Sequence, residues 1–303
     1  MLSTRAGLGW GLLGILAFSL TMPLTRIAVA GLSPLFIGAG RAVVAAALAA
    51  VALAVTTQSL PHRAQWLRLA VVSAGVVAGF PLLTSFALTV APAGHSAVVI
   101  GLLPAATAVA VVLRTRERPS RWFWVFAALG AVAAVAFASL QTGGIVALGW
   151  PDLLLFGAVV AAAIGYAEGG LLSRELGSWQ TISWALVLAA PLMIALTAAS
   201  VVAHPPSAAP VEWMAFAYLG AVSMFLGFFA WYRGLAIGPM AQVSQVQLAQ
   251  PVITITWAWL LLHEDIGVAT VLGGVAVIAC AGFAVRTRLT RAVPARPDQT
   301  EES

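Results

Sequence analysis

Ten apolar runs of close to twenty residues each follow one another along the chain, with only short connections between them. They fall at roughly 8–28, 34–55, 66–88, 93–113, 121–140, 151–172, 180–200, 212–234, 240–262 and 267–286. A helix of about 20 residues crosses the hydrocarbon core of a bilayer. Each run therefore reads as a membrane-spanning helix. Composition points the same way. Only 8% of residues are charged, against 61% hydrophobic, whereas a soluble domain carries about 25% charged residues. The expected fold class is therefore an all-α integral membrane protein with ten transmembrane helices. The first run, from Leu8 to about Ile27, is long for a cleaved signal peptide and reads as a retained span. Cys280 lies in an apolar run and reads as a small buried hydrophobe.

The connections are short and polar, among them "GLSP", "TTQSLPHR", "RTRERPSR", "HPPSAAP" and "HED". All fifteen basic residues are arginines. With the N-terminus in the cytoplasm, thirteen of the fifteen fall on the inner side, and only Arg26 and Arg41 fall toward the outer side. The positive-inside bias then puts both termini in the cytoplasm. The same spread argues against nucleic-acid binding, because the arginines flank membrane spans and form no compact patch. Arg26 and Arg41, near the outer ends of spans 1 and 2, suit steering of anions or snorkelling to headgroups.

Sliding the chain by 147 residues lays Pro92 on Pro239, Pro104 on Pro251 and Glu117 on Glu264. Leu88, Val99, Thr107 and Leu113 fall on Leu235, Val246, Thr254 and Leu260. The shift carries spans 1–5 onto spans 6–10. Five is odd, so equivalent spans cross in opposite directions, which is the inverted-repeat plan of many secondary transporters. The expected units are residues 1–143, residues 144–287 and a polar, disordered cytoplasmic tail at 288–303.

The two stretches "PAGHSAVVIGLLPAATAVAVVLRTRE" and "PMAQVSQVQLAQPVITITWAWLLLHE" share a small or polar start, a mid-span proline, an aliphatic run and a closing glutamate. Over positions 8 to 286 the chain resembles the drug/metabolite transporter superfamily, EamA type, and within it the YddG-like (aromatic) amino-acid exporter branch. The resemblance implies two five-helix inverted repeats and export of small metabolites by alternating access. The implied central cavity is lined by spans 1, 3, 4, 6, 8 and 9, with spans 5 and 10 peripheral. Small relatives in the superfamily carry an essential glutamate in the first span. This chain has none there, which argues against proton-coupled export of cationic drugs.

The polar groups inside the spans supply the candidate site. Four of nine glutamines fall between 242 and 250. At 100° per residue they occupy an arc opposite a strip formed by Leu248, Val252, Ile255, Trp259 and Leu262. An unpaired amide in hydrocarbon costs several kcal/mol, so the arc must meet other helices or a wet pathway. Gln242 and Gln245, at the cytoplasmic mouth of span 9, are the binding candidates, with the symmetry-related His95 at the outer mouth of span 4. The alternatives are interhelical glue for the amides and a helix cap for the histidine. Phe80, Tyr166, Phe225 and Phe228 suit an apolar wall for a hydrophobic side chain. Ser19, Thr84 and Val99 complete the expected cavity on spans 1, 3 and 4. Pro23, Pro81, Pro104 and Pro251 free carbonyls four residues earlier and make candidate hinges; the carbonyl freed by Pro23 belongs to Ser19. Glu168, the one acid well inside a span, is a candidate for coupling to an ion, or else pairs with an arginine near the interface.

An intramembrane enzyme would need a nucleophile with its base, or a metal cluster. The four histidines fall in loops or at span ends, and "HED" lacks the second histidine of a zinc-binding helix. No catalytic residue, metal or cofactor is expected. The expected contacts are a small-molecule substrate and the lipid bilayer, with no required protein partner evident. An uncoupled facilitator is the nearer rival to a transporter, since neither a filter loop nor a charged ring marks an ion channel. The expected location is the bacterial inner membrane.

Overall fold

A computed structural model describes residues 2–116, 120–141, 149–237, 243 and 246–289. Nine helices among these are long and apolar enough to cross a membrane. They are α1 (Arg5–Ala28), α2 (Pro34–Val55), α3 (Arg63–Ala87), α4 (Ala93–Thr115), α5 (Arg121–Ala138), α6 (Trp150–Leu176), α7 (Ser178–Ala203), α8 (Pro210–Ile237) and α10 (Val268–Thr287). The apolar helix α9 (Val246–Leu262) is shorter. Most of the expected start of span 9, the boundary at 143/144 and the tail lie outside the described residues.

Local signals fix the helix starts. The Ser33 hydroxyl accepts the Phe36 N–H at 3.1 Å, with Pro34 in the first helical turn, which satisfies one of the donors a helix start leaves over. Helix α3 begins three residues before the apolar run, because the Gln65 side chain accepts the His62 N–H at 2.9 Å. Asp152 does the same for Gly149 at 3.0 Å and opens α6. That helix runs on to Leu176 and stops at Gly177, whose φ of 96° a side chain rarely adopts.

Helix α2 packs along α7, α5 along α10, and α4 crosses α9. Helix α1 packs on α8 and α9, while α6 packs on α3 and α4. Exchanging α1–α5 for α6–α10 leaves this pattern unchanged. At the crossings of α3 with α6 and of α1 with α8, backbone approaches backbone. A Cβ on Gly75 would lie 2.4 Å from the Ala161 carbonyl oxygen, and one on Gly14 would lie 2.9 Å from the Trp231 nitrogen. Small residues let membrane helices meet backbone to backbone, which supplies the packing that the hydrophobic effect does not supply in lipid.

The central helices are interrupted, and the breaks precede the mid-span prolines. A turn at Leu20 precedes Pro23 in α1. A π-helical segment, Ser73–Gly79, precedes Pro81 in α3. A turn at Gly101 and Leu102 precedes Pro104 in α4, and a 3₁₀ turn, Val246–Ala249, precedes Pro251 in α9. Helix α8 carries a second π-helical segment, Leu219–Leu226, at the position equivalent to the first. A proline cannot donate its N–H, so the ladder is already open where these irregular turns form. Helix α7 keeps Pro191 within an unbroken helix.

Substituting Gly75→Ala should cost about 1–3 kcal/mol through overpacking, while Gly9→Ala, with nothing within 4 Å of the added carbon, should be neutral. Thermal unfolding of the two variants in one detergent checks the difference.

Candidate substrate site

A small cavity of about 20 Å³ lies where α1, α2, α3, α4, α6, α8 and α9 meet. That volume holds about one water, so the cavity is contracted around its lining. One wall is aromatic. Phe228 lies 4.9 Å from Phe18 and 5.8 Å from Tyr166, ring centre to ring centre, and Phe80 joins the same lining. The same lining holds polar groups: the paired hydroxyls of Thr21 and Ser223, 2.8 Å apart, together with Gln250 and Arg41.

Arg41 is the feature that reading from helix ends misplaced. It is the eighth residue of α2, about 10 Å in from the helix start at 1.5 Å per residue. Its side chain is 1% exposed and lines the cavity, so it neither snorkels nor faces an outer surface. Its Nε and Nη2 find no hydrogen-bond partner. Among the described residues, the ion pairs join Glu168, Glu175 and Asp152 to other groups, and none includes Arg41. An uncompensated charge buried at this depth costs several kcal/mol. Arg41 is the sole charged residue in Pro34–Val55, and that isolation inside an apolar run was the available signal. Arg26, by contrast, is occupied: its Nη1 donates to the carbonyls of Leu88 and Thr89 at 2.7 Å each, closing the end of α3.

A second cavity of about 10 Å³ adjoins this one at the α4–α9 crossing, where Pro104 and Pro251 meet Gln247, Gln250 and Thr254. The Gln247 Nε2 has no partner. The carbonyl of Ser19, at the break in α1, accepts the Thr254 hydroxyl at 2.9 Å, and the Ser19 hydroxyl accepts the Trp257 indole N–H at 3.2 Å. The carbonyl that Pro23 frees thus ties α1 to α9.

A wider vestibule of about 410 Å³ opens at the face opposite the arginine-rich one. It is lined by His95, Asp152, Glu264 and Asp265. His95 Nε2 and Asp152 Oδ1 are 2.7 Å apart, and the imidazole stacks on Phe137 with centroids 5.1 Å apart. Glu264 accepts the N–H groups of Ala93 and Gly94 at 2.7 and 2.8 Å. A carboxylate at a helix N-terminus is stabilised there by the backbone dipoles. Its counterpart Glu117 lies outside the described residues. A larger apolar groove of about 760 Å³ runs between α4, α5 and α6. It lacks a convergent polar anchor, having only Arg114 and Glu168 as polar lining.

The sequence-based candidates divide among these places. Phe80, Tyr166 and Phe228 line the central cavity. His95 lies in the vestibule instead. Ser19 serves the α1–α9 junction, and Thr84 donates back to the Phe80 carbonyl of its own helix at 2.7 Å. Val99 is buried in the general core, with Phe225 partly buried against it. Gln242 and Gln245 lie outside the described residues; of the described glutamines, Gln250 and Gln247 line the central cavity and the one beside it. Glu168 joins an ion-pair cluster: Arg114 Nε donates to it at 2.7 Å and Arg68 Nε pairs with its other oxygen. Arg68 also bonds Glu175. The cluster binds α3 and α4 to α6.

The fold defines a class before it defines a family. Two equivalent sets of membrane-crossing helices meet around a polar centre, which is the plan of a membrane transporter. The family model of the EamA-like transporter family matches residues 5–139 and again residues 149–286, and the chain belongs to that family. Among relatives, an uncharacterized transporter, YdeK of Bacillus subtilis (strain 168), is 45% identical over 283 residues, covering 92% of this chain and 97% of that protein. A solved crystal structure superposes with a TM-score of 0.64 over 96% of this chain and 100% of the other, at 18% identity; that likeness speaks to the fold alone.

Glu168→Gln leaves two arginines facing a neutral amide beside buried helix surface and should lower the midpoint of thermal unfolding by several degrees. Glu175→Gln removes only a half-exposed partner and should shift it little. Paired melts in detergent distinguish the two.

Proposed function

We propose that this protein is a secondary transporter of the bacterial inner membrane that exports small neutral metabolites, most of all amino acids with aromatic or hydrophobic side chains, by alternating access. The observation that carries the reading is the contracted central cavity, whose lining combines aromatic rings with hydroxyl, amide and guanidinium groups. A neutral amino acid presents the same combination of an apolar side chain and a polar head. A sugar phosphate would call for several buried cations, whereas the described lining has one. The vestibule on the opposite face and the ion-pair cluster of Glu168 on the arginine-rich face support an outward-leaning state held shut on the other side. Rocking of residues 1–143 against 144–287 about the interrupted helices would exchange the two accesses. The arginine distribution supports a cytoplasmic arginine-rich face and cytoplasmic termini. An uncoupled facilitator is the second reading. Glu168 is bonded to two arginines in this state, which suits a structural tie between helices rather than a coupling site, and that favours transport driven by the solute gradient alone.

Two outcomes are expected. Proteoliposomes loaded with unlabelled leucine or phenylalanine should take up the labelled amino acid by counterflow; a screen of neutral amino acids with no counterflow would remove the substrate. In a Cys280→Ala background, Asp265→Cys should react with a membrane-impermeant thiol reagent added to intact cells, and Arg286→Cys should react only after lysis. The reverse pattern would overturn the orientation.

A further inference from the structure

We propose that Arg41 is the carboxylate-binding group of the central cavity, so that the transported molecule must carry a carboxylate while its amino group is secondary. The proposal rests on the reading of the central cavity as the transport site and narrows the chemistry that site accepts. Three observations converge. Arg41 is buried to 1% exposure, lines the cavity, and leaves Nε and Nη2 without partners. These two nitrogens lie on one edge of the guanidinium plane, the edge that binds a carboxylate through two parallel hydrogen bonds. Among the described residues lining the cavity there is no carboxylate, so a bound anion meets no rival for the arginine in that lining, and a bound ammonium meets no opposite charge there. The Thr21–Ser223 hydroxyl pair and Gln250 lie in the same lining and supply neutral hydrogen-bonding groups. Phe18, Phe80, Tyr166 and Phe228 provide the surface for an apolar substituent.

Lysine would present a point charge in place of the planar fork. Arg41→Lys should therefore keep carboxylate binding but weaken it, and Arg41→Met should abolish it. The stability readout separates a ligand-binding arginine from a structural one. A structural arginine would be missed when removed. An unpaired buried charge is a strain on the fold, so the Arg41→Met protein should melt at the same temperature as the wild type or higher in the absence of ligand.

The test measures thermal stabilisation of purified protein in detergent by matched compounds. Phenylalanine and 3-phenylpropionate carry the carboxylate; phenylalanine amide and phenethylamine lack it. The leucine series repeats the design, with leucine and 4-methylpentanoate against leucine amide and isopentylamine. The expected result is stabilisation of the wild type by carboxylates at concentrations at least about tenfold lower than by the amides and amines, as the loss of a charged hydrogen-bond pair predicts. Arg41→Met should lose that preference, and Arg41→Lys should retain part of it. Equal stabilisation by amides, a carboxylate preference that survives in Arg41→Met, no response to any carboxylate, or a lower unliganded melting temperature for Arg41→Met would each overturn the proposal. Counterflow in proteoliposomes is read separately. Carboxylate stabilisation without counterflow sinks the transport reading and leaves the anchor standing. Counterflow that Arg41→Met retains, with its selectivity for carboxylates, sinks the anchor and leaves transport standing.

Discussion

In a bilayer little water is at hand to complete an unmade hydrogen bond, and that scarcity organises the whole molecule. It makes the chain helical, since only helices close their own backbone ladders segment by segment. It also makes each exception informative. The carbonyl of Ser19, released at the break before Pro23, is taken up by Thr254 on another helix. The carbonyls at the end of α3 are taken up by Arg26. Arg41 and Gln247 keep unmet nitrogens at the central cavity and the one beside it, where a passing polar molecule is a partner that the surrounding protein does not supply.

Packing and symmetry reinforce one another. The tight crossings at Gly14 and Gly75, the prolines at the α4–α9 crossing and the paired π-helical segments occur in matching places. A fold of this sort has its most irregular backbone where its helices converge, while the helices of the α2–α7 and α5–α10 pairs run unbroken. Polar clusters differ between the two faces. On one, Glu168 draws α3 and α4 to α6 through arginines; on the other, His95 joins Asp152 beside an acidic vestibule. The halves share a scaffold and differ in the chemistry that decorates it.

The spans, their approximate limits and the repeat were legible in the sequence, because lipid imposes a length and a composition that a run of twenty residues displays openly. Helix ends were less so. Helix α3 starts earlier than its apolar run because a side chain, Gln65, caps the His62 nitrogen. The aromatic wall was legible for Phe80, Tyr166 and Phe228, which lie in mid-span where an interfacial belt does not reach. Thr84 and Ser19, expected in the cavity from their spans, have hydroxyls with partners in the helices: Thr84 donates to the Phe80 carbonyl and Ser19 accepts the Trp257 indole. Arg41 was hidden by its place in the sequence. Counted from the nearest connection it sits near an interface, yet a long side chain can reach inward as easily as outward. The direction depends on what the neighbouring helices leave open.

The π-helical segments in α3 and α8 end immediately before the aromatic wall. Phe80 follows Ser73–Gly79 directly, and Phe228 lies two residues past Leu226. A wide turn of this type holds one surplus residue, and such a surplus can slip along a helix, turning the part it passes by about 100°. Slippage in either helix would swing a phenylalanine ring off the cavity while the helix stayed straight and its loops stayed put. The chamber could then enlarge from a single water to a solute by rotation of its own walls, in the manner of a turnstile.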